Sequence, residues 1–123
     1  MQKQDKPPEQ IFQISNTPDH TIVSFYGHVD ADIVQQIKPL LQEKIPAACM
    51  HLIVDLQQVE FLDSHGVGLF VSLLKRVHGN NGKLVFLSAE GQPASVLHMV
   101  GFGGPLVIFC TDAEEAKALR GKI

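Results

Sequence analysis

Basic clusters, long apolar runs and cysteine pairs are all missing from this sequence, and each absence removes a class of function. The 10 Lys and Arg are scattered among 13 Asp and Glu, for a formal net charge of −3. No basic stripe can displace counterions from a phosphate backbone, so nucleic acid is not an expected partner. No uninterrupted apolar stretch approaches the roughly 20 residues a helix needs to cross a bilayer, because glycine or charge breaks the longest candidates, and no direct membrane insertion is expected. The only cysteines, Cys49 and Cys110, stand far apart and outside any C-x-x-C spacing. The opening MQKQDKPPEQ has no apolar signal-peptide core. The expectation is a soluble protein of the reducing cytoplasm.

What remains is enough for one core. The chain has 123 residues, 45% of them hydrophobic, which suits a single compact domain. Residues 1–10, with Pro7-Pro8 and alternating charges, read as a mobile tail, and 11–123 as the domain.

The pattern along the domain is mixed. Ile11 to Ile14 and Thr21 to Tyr26 are short runs rich in β-branched and aromatic residues around Asn16-Thr17-Pro18-Asp19, which predicts a β-hairpin whose second strand Gly27 ends. Ile33, Ile37, Leu40 and Leu41 recur at helical spacing after a capping Asp30, with Pro39 expected to kink or break that helix. His51 to Leu56 reads as a buried strand and Gln57 to Leu62 as a loop. A second helix is expected from Ser64, burying Val67, Phe70, Val71, Leu74 and Val77 and stopping at Gly79-Asn80-Asn81-Gly82. A strand at Lys83 to Leu87, a short helix from Pro93 to Val100 closed by Gly101, and a strand at Leu106 to Phe109 follow. A terminal helix then opens on a Thr111–Glu114 capping box. Strands alternating with helices predict an α/β fold: a mixed, largely parallel sheet with an N-terminal hairpin and about four helices.

The stretch richest in chemistry is Val59-Glu60-Phe61-Leu62-Asp63-Ser64-His65-Gly66-Val67-Gly68, where a strand–loop passes into a helix. Ser64 is expected at or beside the N-cap, its hydroxyl accepting from the amide of Gly66 or Val67, at an exposed boundary a kinase can reach. Gly66 and Gly68 lack a Cβ and permit close approach of another backbone or a nucleotide. By themselves these residues describe no more than a helix cap.

Around that cap the chain resembles the STAS family, the sulphate-transporter and anti-sigma-factor-antagonist domain, and within it the free-standing antagonists. The resemblance spans roughly residues 11–120 and is carried by Val54-Asp55-Leu56, Val59, Phe61-Leu62-Asp63-Ser64, Gly66, Gly68, Gly79 and Gly82. Gly27-His28-Val29-Asp30, Val96-Leu97 and Val100-Gly101-Phe102 echo it more weakly. It implies the STAS-type sheet and a regulator without enzymatic activity or cofactor. Ser64 would be phosphorylated by a partner that is both serine kinase and anti-sigma factor, of the GHKL type, and a phosphatase would reverse the step. The implied partner surface is Asp30, Asp63, Ser64, His65, Gly66 and Val67. Two departures stand out: His65 replaces a common second serine, and His28 stands where an acidic residue is usual.

Three other readings compete. A serine hydrolase finds little support, because Asp63-Ser64-His65-Gly66 is not G-x-S-x-G and sequence neighbours are rarely placed to share a proton. A metal site from His28, Asp30 and His65 has no H-x-x-x-H or cysteine pattern behind it, and His20, His51, His78 and His98 need only surface or capping roles. The third keeps the fold and makes the chain a docking subunit of a transporter, such as a lipid-transport complex, or a ligand sensor, without a phosphate cycle.

Overall fold

Apolar residues alternating over both faces of several strands demand cover on both sides of a sheet, and a computed structural model, which describes residues 10–102 and 107–118, shows how that cover is arranged. The expected tail, apart from Gln10, and the expected strand residue Leu106 lie outside the described residues. Strand β1 (Phe12–Asn16) pairs antiparallel with β2 (Thr21–Val29), in register from Phe12↔Phe25 to Asn16↔Thr21. The turn works as its residues suggest: the Thr17 hydroxyl accepts from the amides of Asp19 and His20 at 3.2 and 3.1 Å.

From β2 onward every connection is a crossover. Helix α1 (Ala31–Lys44) leads to β3 (His51–Leu62), α2 (Ser64–Gly79) to β4 (Lys83–Leu87), α3 (Gly91–Met99) to β5 (Val107–Cys110), and α4 (Ala113–Ala118) follows. The sheet runs β1-β2-β3-β4-β5, with β2 to β5 parallel. Successive crossovers therefore step one strand in the same direction, and their common handedness places α1, α2 and α3 on one face. There Ile37, Leu41, Leu69, Phe70, Leu73, Val77 and Leu97 pack on Val23, Phe25, Leu52, Val54, Leu84 and Phe86. On the other face Ala116 of α4 joins Ile53, Val85, Leu87 and Cys110.

Several expectations shift. Gln57–Leu62 is not a loop but the second half of β3, because β2 does not stop at Gly27. Gly27 adopts a left-handed φ of 73°, and two register shifts, each inserting one extra residue in β3, let Gln58, Val59, Phe61 and Leu62 pair with Tyr26, Gly27, His28 and Val29. Helix α1 runs through Pro39, which lies on its exposed side, so the Gln35 carbonyl that loses its donor is also on the solvent side. The buried stripe of α2 is Leu69, Phe70, Leu73 and Val77, with Val67, Val71 and Leu74 half-buried along its flank; the helix packs on sheet and α1 together, which widens the stripe. Helix α3 starts at Gly91, two residues before Pro93, whose missing N–H is harmless in a first turn. Asp112, not Thr111, begins α4, its carboxylate accepting from the Glu114 amide at 3.0 Å. His51 has no surface role: it is buried, and its Nε2 donates to the Ala116 carbonyl at 2.9 Å, tying β3 to α4. Both cysteines are free and buried, and burial pushes both thiols above their ordinary pKa. No helix among the described residues is long and apolar enough to cross a membrane.

Candidate functional site

Two neighbouring parallel strands end level with one another, Val29 opposite Leu62, and each is followed by an aspartate and a helix. The same physical problem arises twice, since the first amides of a helix have no partner within it, and the same residue solves it. Asp30, in extended backbone, accepts from the Ile33 amide at 3.2 Å and starts α1. Asp63, also extended, accepts from the amides of His65 and Gly66 at 2.8 and 3.1 Å and starts α2. The Asp63 amide donates to the Val29 carbonyl at 3.3 Å, which joins the two caps.

Ser64 thus stands beside the N-cap, one of its two expected places, but the capping bonds expected of its hydroxyl are made by Asp63. The backbone leaves Asp63, in extended conformation, at the half-in position, so its carboxylate and not the Ser64 hydroxyl meets the free amides of the first turn. Ser64 becomes the first residue of α2 and is exposed, and its hydroxyl has no part in the capping bonds. Replacing Asp63 with Ala is expected to lower stability by about 1 kcal/mol in urea denaturation, with Asn restoring most of it, as for other N-caps.

The remaining residues fall into two groups. His65 is exposed, its Nδ1 3.7 Å from the Asp63 oxygen not engaged in the cap. Gly66 is buried: a Cβ there would lie 2.6 Å from the Val29 carbonyl oxygen and against the Leu62 side chain, so this glycine sets how closely α2 approaches the end of β2. Val67 is half-buried against the core. The structure therefore brings Asp30, Asp63, Ser64 and His65 to one surface, with Gly66 and Val67 beneath it.

Other residues at this end of the sheet were given no part in the expected partner surface. Val29 and Leu62 point into the helical layer, so His28 and Phe61 share the opposite face. Their rings are 5.4 Å apart, and the His28 Nε2 lies 3.9 Å from Glu60. Phe61 is an exposed large apolar side chain at the rim of the site. Gln92 of α3 bonds the backbone of Leu62 through both ends of its side-chain amide. Phe61 could have been noticed had Gln57–Leu62 been read as a strand; no local signal marks Gln92. Among the described residues, no three His, Cys, Asp or Glu side chains stand where they could hold one metal ion. A cavity of about 430 Å³ lies at the opposite end of the sheet, lined by Thr17–Thr21, Pro46, the segment before β3 and Asn81–Lys83, remote from Ser64.

The STAS domain family matches residues 12–116. An anti-sigma F factor antagonist from Lysinibacillus sphaericus is 24% identical over 106 residues, covering 85% of this chain and 90% of that protein. Among solved structures, an anti-sigma-factor antagonist (STAS) domain protein from Planctomyces limnophilus superposes with a TM-score of 0.75 at 21% identity, covering 89% of this chain and 96% of that one. The Bacillus cell fate determinant SpoIIAA in its phosphorylated form does so with a TM-score of 0.68 at 23% identity, covering 89% and 99%.

Proposed function

The chain belongs to the STAS domain family, and from that membership we propose that it is an anti-sigma-factor-antagonist type of switch whose phosphate acceptor is Ser64. The observation that carries the reading is the division of labour at the start of α2: Asp63 does the capping, leaving Ser64 exposed at the helix terminus, next to the strand end that Asp30 follows. A residue engaged in the cap would have to leave it to be phosphorylated, and Ser64 does not. That the Lysinibacillus relative is named an anti-sigma F factor antagonist, and that SpoIIAA has a phosphorylated form, supports the switch reading in general.

The unmodified protein binds a serine kinase of the GHKL type that is itself an anti-sigma factor, through Asp30, Asp63, Ser64, His65 and the exposed side of α2, and so releases that partner's client in the cytoplasm. A phosphoserine carries about −1.5 to −2 charges at pH 7. At the first residue of α2 the helix terminus tolerates that charge, so the fold persists. The partner surface does not tolerate it, because docking would bury the phosphate against Asp63. A phosphatase resets the cycle, and the domain itself performs no chemistry.

The test is peptide mass spectrometry on protein isolated from its native cells. Phosphate is expected on Ser64 and absent in Ser64→Ala. A protein that never carries it, even with GHKL-type kinases co-expressed, would instead be a docking subunit or sensor using the same surface without a phosphate cycle.

A further inference from the structure

Strand β3 outruns its neighbour. Its pairing with β4 ends at Asp55↔Leu87, yet β3 continues to Leu62. In a parallel sheet the N–H and C=O of one residue point to the same side, and those of the next residue point to the other. The Asp63 amide bonds Val29 on the β2 side, so the Leu62 amide and carbonyl face the side that β4 does not reach. Gln92 supplies what is missing: its Oε1 accepts from the Leu62 amide at 2.9 Å, and its Nε2 donates to the Leu62 carbonyl at 2.8 Å. A primary amide has the same donor and acceptor as a peptide group, so one side chain pairs with Leu62 as a residue of a further strand would.

Residues with left-handed backbone precede and open α3. Ser88 and Gly91 both take left-handed backbone, at φ 58° and 59°, a conformation that costs a serine energy. Glu90, at the N-cap of α3, makes no side-chain capping bond. The sequence of connections is then short: Gln92 holds Leu62, Leu62 precedes the cap Asp63, and Asp63 precedes Ser64.

We infer that Gln92 is a positioning residue for the serine turn: by closing the open edge of β3 at Leu62 it holds Asp63 and Ser64 in the geometry the kinase reads. Its consequence for phosphorylation rests on the reading of Ser64 as phosphate acceptor; the latch itself does not. Gln92 acts through Leu62 and does not touch the hydroxyl.

The test is NMR-detected amide hydrogen exchange on the full chain carrying Gln92, Gln92→Met or Gln92→Glu. In Gln92→Met the Leu62 amide is expected to lose at least tenfold in protection while Val54 and Phe86 hold theirs, and the His65 and Gly66 amide resonances shift. In Gln92→Glu a carboxylate at neutral pH can still accept from the Leu62 amide, but its second oxygen repels the Leu62 carbonyl and loosens the pair, whereas the protonated carboxyl again offers one acceptor and one donor. Protection at Leu62, taken relative to the unstructured rate at each pH, should therefore recover as pH falls through the carboxyl range near ~4.3. A side chain that merely fills space would show no such rescue. Unchanged protection in Gln92→Met, or no recovery in Gln92→Glu, overturns the latch, and the acid form of Gln92→Glu decides alone if Gln92→Met does not fold.

The effect on the site is read separately, as Ser64 phosphate occupancy in native cells, expected to be at least threefold lower in Gln92→Met. Equal occupancy despite lost protection overturns the positioning role. Absence of phosphate from the unaltered protein overturns the acceptor reading, while the exchange result still decides the latch.

Discussion

Gly66→Ala is expected to destabilise the protein by about 3 kcal/mol, whereas Gly68→Ala, two residues along the same helix, is expected to stabilise it by about 0.5–1 kcal/mol. A Cβ on Gly66 would meet the Val29 carbonyl oxygen at 2.6 Å and the Val29 Cγ1 at 3.1 Å, besides the Leu62 side chain. The carbonyl cannot step aside, because it belongs to the end of β2 and accepts the Asp63 amide. Helix α2 would have to retreat from the sheet, opening the junction between the two caps. Gly68 has nothing within 4 Å of its would-be Cβ, so alanine there simply removes the conformational freedom that glycine brings to the unfolded chain. Urea denaturation of the two variants beside the native protein measures both signs. A Gly66→Ala midpoint equal to native would mean that the close approach of α2 to Val29 has no energetic weight.

That pair of glycines shows where sequence reasoning stops. Both lie in one motif, and reading along the chain assigned both the same role of admitting a close neighbour; which has a neighbour depends on Val29, more than thirty residues earlier. Features with local causes were legible. The Thr17 turn and the strand at Lys83–Leu87 are examples, and so is the helix beginning at Ser64. The second half of β3 was not, because Gln57-Gln58 interrupts the apolar run and the two bulges break the alternation that would have betrayed a strand. Its stability comes from pairing with an extended β2, a non-local cause. The cap was ambiguous for another reason: Asp63 and Ser64 are adjacent, both residue types cap helices, and only the backbone decides which stands at the half-in position. Gln92 was invisible because its partner is a backbone peptide thirty residues away, which leaves no complementary side chain to notice.

Ser64→Asp is expected to raise the Kd for the purified kinase that labels Ser64 at least hundredfold, close to 2.7 kcal/mol, while leaving the fold intact or slightly more stable. The two effects have opposite signs for one physical reason. In the free protein the new carboxylate sits at the first residue of α2, where the helix terminus favours negative charge by about 0.3–1 kcal/mol. In the complex the same carboxylate must lose its water beside Asp63. Desolvation and like-charge repulsion then both oppose docking. Ser64→Ala removes the hydroxyl without adding charge and should bind within about fivefold of native, since an exposed hydroxyl contributes no more than one hydrogen bond of net strength near 1 kcal/mol. Calorimetric titration of the three proteins at two salt concentrations separates the contributions, because screening weakens the charge repulsion and leaves the alanine result unmoved. Loss of binding in both variants would make Ser64 a contact residue and not a charge-operated switch. A Ser64→Asp protein binding as tightly as native would remove the switch altogether and leave this end of the sheet as a constitutive docking surface.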